Sequence, residues 1–176
     1  MTTLGAIGGR ARPTSGWAPW STFDRSVMAT IRLPTDFKKF LRLLNSGGVE
    51  YLVVGGYAVA LHGHPRSTGD LDIWIATTPN NVARVRRALT EFGFSEELAA
   101  SAPLHIGGKV IRMGRPPLRI ELLTSVSGVA FDASYRRRAA QIVDDVEVAF
   151  ISRADLLANK RAAGRTQDLA DLEALG

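Results

Sequence analysis

Residues 51–75 read YLVVGGYAVALHGHPRSTGDLDIWI. Tyr51 to Val54 is a short β-prone run, apolar on both faces as in a sheet covered on both sides. It ends in the glycine pair Gly55 and Gly56, and small and apolar residues to about Leu61 read as a helix. After a loop with His62, Gly63, Arg66 and Thr68, a second strand over about 69–76 carries Asp70 and Asp72. Side chains at i and i+2 of a strand share a face, so these two carboxylates stand side by side with Leu71 turned away.

Outward from this stretch, the spacing of Phe37, Phe40, Leu41 and Leu44 predicts a helix over 35–45 with Thr35 as its N-cap. A second helix is expected over 80–92, ended by Gly93. Residues 104–123 turn to strand patterns, with Gly107-Gly108 suited to a tight hairpin. A short helix over 131–139 and a strand over 146–151 follow. Ser152 then caps a helix, with Asp155 three residues on, and Gly164 ends it. Thr166 opens the last helix, with Leu169, Leu172 and Leu175 expected inward. This order predicts an α/β fold: a mixed central sheet with flanking helices over residues 31–151, and a small helical segment over 152–176. Residues 1–30 have no apolar period and are expected to be a disordered tail, although Trp17, Trp20 and Phe23 are apolar for a linker. Met28 offers an alternative start.

The 176 residues contain no cysteine, which excludes disulfides and thiolate metal sites. No apolar run approaches the roughly 18 residues of a membrane-spanning helix, and the N-terminus lacks a signal-peptide core. The expected location is the cytoplasm. A formal charge of +5 admits a nucleic-acid partner, a basic pocket for a polyphosphate, or a solvated basic surface.

Asp70 and Asp72 repel each other unless a cation lies between them, and Mg²⁺ suits an all-oxygen site open to substrate phosphates. A glycine pair at a strand end lets backbone approach a phosphate closely. Glu121, in the apolar strand LRIELLT, is a third carboxylate. Its burial demands a partner: either Arg119 or another cation, or membership of the metal site. Three carboxylates on adjacent strands suit two Mg²⁺, with Glu121 also placed to accept a proton.

The string GGYAVALHGHPRSTGDLDI resembles the nucleotidyltransferase superfamily with the polymerase-β-like fold, and more closely the small bacterial proteins related to the AbiEii toxin family. The shared positions are Gly55, Gly56, Ala58, His62, Gly63, Arg66, Thr68, Asp70, Leu71 and Asp72. RIELLTSVSGVAF resembles the third-carboxylate strand, with Glu121 where Asp is usual. DLLANKRAAGRTQDLADLEAL resembles the Lys-containing and Asp-Leu-x-Asp helices at the C-terminus.

The resemblance implies that Asp70, Asp72 and Glu121 bind metal and that Gly55 and Gly56 cradle the triphosphate. Tyr57, where many members have Ser, contributes its backbone. Arg66 and Thr68 support the loop or contact phosphate, and Lys160 reaches the nucleotide from a C-terminal segment that closes the cleft. Asp168 orients Lys160 or a nearby Arg, and His62 is a structural hydrogen-bonder. The expected activity is Mg²⁺-dependent transfer of an NMP from an NTP, ATP foremost, to an acceptor hydroxyl on a small molecule, an RNA end or a protein. A toxin role with a cognate antitoxin protein is one version. The alternative is a non-catalytic nucleotide-binding or interaction module on the same fold.

Overall fold

The computed structural model describes residues 31–176. The tail expectation for residues 1–30 lies outside the described residues. The elements run α1 (Thr35–Ser46), β1 (Tyr51–Val54), α2 (Gly55–Leu61), β2 (Asp70–Ile75), α3 (Pro79–Phe92), α4 (Glu96–Ser101), β3 (Val110–Arg115), β4 (Leu118–Leu123), α5 (Phe131–Arg136), β5 (Ala139–Val143), β6 (Val146–Phe150), α6 (Arg153–Ala163) and α7 (Thr166–Leu175).

The six strands form one mixed sheet in the order β3-β4-β2-β1-β6-β5. The central strand β1 runs antiparallel to β2 and parallel to β6. Beyond β2 lies β4, parallel to it, and β3 closes that edge antiparallel to β4. All four residues of β1 are buried, as their unbroken apolar run requires of a strand covered on both faces. On α1, Phe37, Phe40, Leu41 and Leu44 form the buried stripe. One apolar cluster reaches from Ile31 to Leu175, so α6 and α7 pack into the same core as the sheet.

The register of β2 against β4 is held where they begin. A Cβ built on Gly69 would lie 1.9 Å from the Pro117 carbonyl oxygen, so only glycine admits this approach. The Gly69 carbonyl accepts from the Arg119 amide at 3.0 Å. From there the pairs run Asp70 with Arg119, Leu71 with Ile120 and Asp72 with Glu121.

Several expectations are corrected. Pro34, not Thr35, is the N-cap residue of α1, and it makes no side-chain cap bond. The β3–β4 hairpin turns at Pro116–Pro117 and not at Gly107-Gly108, because residues 104–109 form turns ahead of β3. Leu169 is 57% exposed rather than inward. The inward face of α7 carries Asp168, Asp171 and Leu175. Two elements, α4 and β5, have no counterpart in the sequence reading. Ser152 does cap α6, accepting from the Asp155 amide, and Gly164 ends that helix in the left-handed conformation.

Candidate active site

The acids come together because parallel pairing of β2 and β4 sets equivalent positions side by side. Glu121 stands next to Asp72, and Arg112 on β3 stands next to Glu121. Asp70, Asp72, Arg119 and Glu121 thus share one sheet face, while Leu71, Ile120 and Leu122 are buried on the other. Asp70 receives both arms of the Arg119 guanidinium, from Nε at 2.9 Å and Nη2 at 2.8 Å. Glu121 accepts from Arg112 Nε at 2.8 Å. Of the partners open to Glu121, the structure takes another cation, Arg112, and not Arg119. Arg119 crosses to its register neighbour on β2, and Arg112 serves Glu121.

Asp72 is the acid that no arginine among the described residues holds. Burial pushes its carboxyl up to about 6, with repulsion from Glu121 and Asp70 adding to the rise and Lys160 and Arg165 opposing it. Asp70 goes the other way, held below the usual carboxylate range by its hydrogen bonds to Arg119. Two acids two residues apart are thereby set to opposite proton affinities.

The glycine pair lies directly against Asp72. Gly55 has φ +62°, and a Cβ there would stand 2.0 Å from Asp72 Oδ2. A Cβ on Gly56 would meet the Thr68 side chain at 2.9 Å. Thr68 in turn bonds the amide and carbonyl of Asp70 through its hydroxyl, so it fixes the entry to β2. Tyr57 points elsewhere. It is buried and meets the Phe37 ring edge-on with centroids 6.1 Å apart. Only its backbone remains on the glycine turn. His62 donates from Nε2 to the Ile151 carbonyl at 2.8 Å, tying the end of α2 to the end of β6, and burial lowers its proton affinity.

The C-terminal helices bring a buried ion cluster to the same side. Lys160 Nζ lies 2.8 Å from Asp168 Oδ1 and 2.7 Å from Asp171 Oδ2, with 3% of its side chain exposed. Arg66 grips Asp171 with Nε at 2.8 Å and Nη2 at 3.1 Å. Arg165 grips Asp168 with Nε at 2.7 Å while 77% of its side chain stays exposed. Burial raises the Asp171 carboxyl, but Arg66, Lys160 and Gln167 outweigh it and hold the group down at about 2. Asp168 is lowered in the same way by Arg165 and Lys160.

Arg66 and Lys160 therefore engage Asp171 rather than open space. The sequence reading missed Arg112, Asp171 and the exposed Arg165. The spacing of Asp168 and Asp171 three apart on a helix was the available signal.

Among the described residues, no three His, Asp or Glu side chains converge closely enough to hold a metal ion. The reason is local: Asp70 and Glu121 are each turned onto an arginine. No helix among the described residues is long and apolar enough to cross a membrane.

No curated protein sequence matches the chain. Among solved structures it is similar to a candidate nucleotidyltransferase (TM1012) from Thermotoga maritima, with TM-score 0.54 and 15% identity over 77% of this chain and 87% of that one. That likeness concerns the fold. An antigenic nucleotidyltransferase-like protein from Paracoccidioides brasiliensis aligns with TM-score 0.43 and 16% identity, over 87% of this chain and 76% of that one, and adds no argument. Residues 31–176 match the family described as "Nucleotidyltransferase of unknown function (DUF6036)", which spans every described element, and the chain belongs to that nucleotidyltransferase family.

Proposed function

We propose that this protein transfers an NMP from an NTP, ATP foremost, to an acceptor hydroxyl, with Mg²⁺ as the cation. The observation that carries this reading is the placement of Asp70, Asp72 and Glu121 on one face of two in-register parallel strands, with the Gly55 turn against Asp72. The donor set fits Mg²⁺ by chemistry: three carboxylates, all oxygen, on neighbouring strands. Asp70, Asp72 and Glu121 would hold it, once Asp70 and Glu121 turn from their arginines. The cation supplies charge neutralisation at the transferring phosphoryl group.

The chain's own residues account for the rest. The glycine turn presents backbone without side chains beside Asp72, giving the triphosphate room to approach. Glu121 takes the proton of the acceptor hydroxyl. The acceptor oxygen bonds to the α-phosphorus as the bond to the β-phosphate oxygen breaks, and pyrophosphate leaves. Arg165, exposed and close enough to influence Asp72, supplies positive potential at the mouth of the site. Lys160 acts through Asp168 and Asp171 as a positioning residue that fixes α7 against the loop carrying Arg66. In this reading α6 and α7 close the nucleotide cleft.

A second reading is favoured by one observation. Arg119 and Arg112 already neutralise two of the three acids, as in a non-catalytic nucleotide-binding module. The acceptor class, and a toxin role with a cognate antitoxin, rest on the sequence resemblance alone. The test is transfer of label from each of four α-labelled NTPs, with Mg²⁺, into RNA, protein and small-molecule fractions of a cell extract. Label moved by the wild type and not by Asp70→Ala/Asp72→Ala supports the enzyme and names the acceptor class. Nucleotide binding without transfer supports the module.

A further inference from the structure

Arg119 meets Asp70 fork to fork, at 2.9 and 2.8 Å, and so occupies both carboxylate oxygens. A bidentate guanidinium–carboxylate pair is among the stronger charge-assisted contacts, and this one is two-thirds buried on both sides. The Arg112–Glu121 contact is weaker: one bond, with Arg112 61% exposed. Cross-strand register sets both pairs side by side, and the Arg119–Asp70 pair is the one that closes fork to fork. On the far side of Arg119 the register partner is Gly114, which offers no side chain to compete for the guanidinium. The sheet thus builds in one cation at Asp70.

We propose that Arg119 is a latch on the metal site: it holds Asp70 against divalent cations in the free protein, and cation binding hands the guanidinium over to the nucleotide phosphates. This rests on the nucleotidyltransferase reading of the same acids and adds how the site is loaded. The fork takes the inward lone pair of each Asp70 oxygen, the pair through which the carboxylate would chelate a cation, so a Mg²⁺ chelated there displaces Arg119. A displaced guanidinium keeps a planar fork of donors that matches a phosphate as well as it matched the carboxylate. The cation and the nucleotide are then coupled. The phosphates stabilise the released arginine, and the released arginine frees Asp70 for the cation. Free Mg²⁺ alone loads poorly, and the Mg²⁺–nucleotide complex loads well.

The test is direct binding rather than turnover. Mn²⁺ affinity is measured by electron paramagnetic resonance of free Mn²⁺. ATP affinity is measured by calorimetry with Mg²⁺ present. Both are run on the wild type, Arg119→Met, Arg119→Lys and Asp72→Asn. The expected signature has opposite signs. Arg119→Met binds free Mn²⁺ about fivefold or more tightly than wild type, as loss of a competing pair worth about 1 kcal/mol requires, and binds ATP more weakly. Arg119→Lys, with charge but no fork, lies between. A residue that merely orients Asp70 would weaken both ligands together, and that result overturns the latch. Equal Mn²⁺ affinity in wild type and Arg119→Met, with Asp72→Asn losing it, also overturns the latch and leaves the metal site standing. No Mn²⁺ binding to any variant overturns both the latch and the reading it rests on.

Discussion

Replacing Lys160 by Met removes a charge without opening a hole. The ammonium makes two bonds, at 2.8 and 2.7 Å, to two carboxylates that are themselves 2% and 1% exposed. Removing one partner of a buried ion pair costs about 3–5 kcal/mol, because the remaining charge stays buried. Here Asp168 keeps Arg165 and Asp171 keeps Arg66, so the low end applies, about 3 kcal/mol. In a domain of this size each kcal/mol moves the melting midpoint by about 2–4 °C, so calorimetry is expected to show a fall of roughly 6–12 °C. A lysine on a solvated helix face would give about 0–1 kcal/mol. The triple change Lys160→Met/Asp168→Asn/Asp171→Asn removes all three charges and is expected to regain part of the loss. A midpoint that falls by less than about 2 °C in Lys160→Met refutes the buried cluster as the anchor of α7.

Other expectations follow from the same geometry. Gly55→Ala puts a Cβ 2.0 Å from Asp72 Oδ2 at φ +62°, and is expected to cost about 1–3 kcal/mol in urea titrations. Because the clash is with Asp72, that cost shrinks in an Asp72→Ala background, and equal costs in both backgrounds would contradict the contact. Asp72→Asn is expected to stabilise the metal-free protein at pH 7. A folded pKa of about 6 against 3.8 means that stability is lost as pH rises from 4 to 6, by up to about 3 kcal/mol in wild type but not in the variant. Asp171 runs the opposite way. Its folded value of about 2 makes its contribution complete above pH 4 and lost as pH falls towards 2, so Asp171→Asn should flatten the acid limb of a stability–pH profile. Tyr57→Ser should lose about 3–5 kcal/mol of stability by emptying the space against Phe37, yet leave ATP affinity in calorimetry within about twofold once folded.

The β1–α2–β2 unit was legible because local signals agree there. A run apolar on both faces, a glycine pair and an Asp-x-Asp alternation each point to the same strand–turn–helix–strand path. One residue of the last helix, Leu169, departs from its period for an equally physical reason. The spacing of leucines 169, 172 and 175 predicts an inward stripe, and Leu172 and Leu175 do pack on the core, but Lys160 draws Asp168 and Asp171 inward and leaves Leu169 outside. A buried ion cluster inverts the usual rule for an amphipathic face, and nothing in the helix's own period announces it. Strand β5 escaped because its hairpin turns on Asp144–Asp145, both at positive φ, without the glycine that normally marks such a turn. Helix α4 is six residues long, too short for a period, with only the Ser95 cap and two glutamates to show it. The partners of Arg112 and Arg119 depend on strand order and register, which no local window contains.

The close seat of Gly69 on the Pro117 carbonyl bears on how this chain can change length. It works as a ruler. One mark sits immediately before Asp70 and the other immediately before Leu118, so the acids of β2 and β4 are measured from the same point. A residue inserted between Pro117 and Arg119 would slide Glu121 out of line with Asp72 and bring Ile120 into its place. A residue inserted among positions 104–109, upstream of the edge strand β3, would leave that distance untouched. Variation in chain length among relatives should therefore gather in the turns before β3 and stay out of the span from Pro116 to Glu121.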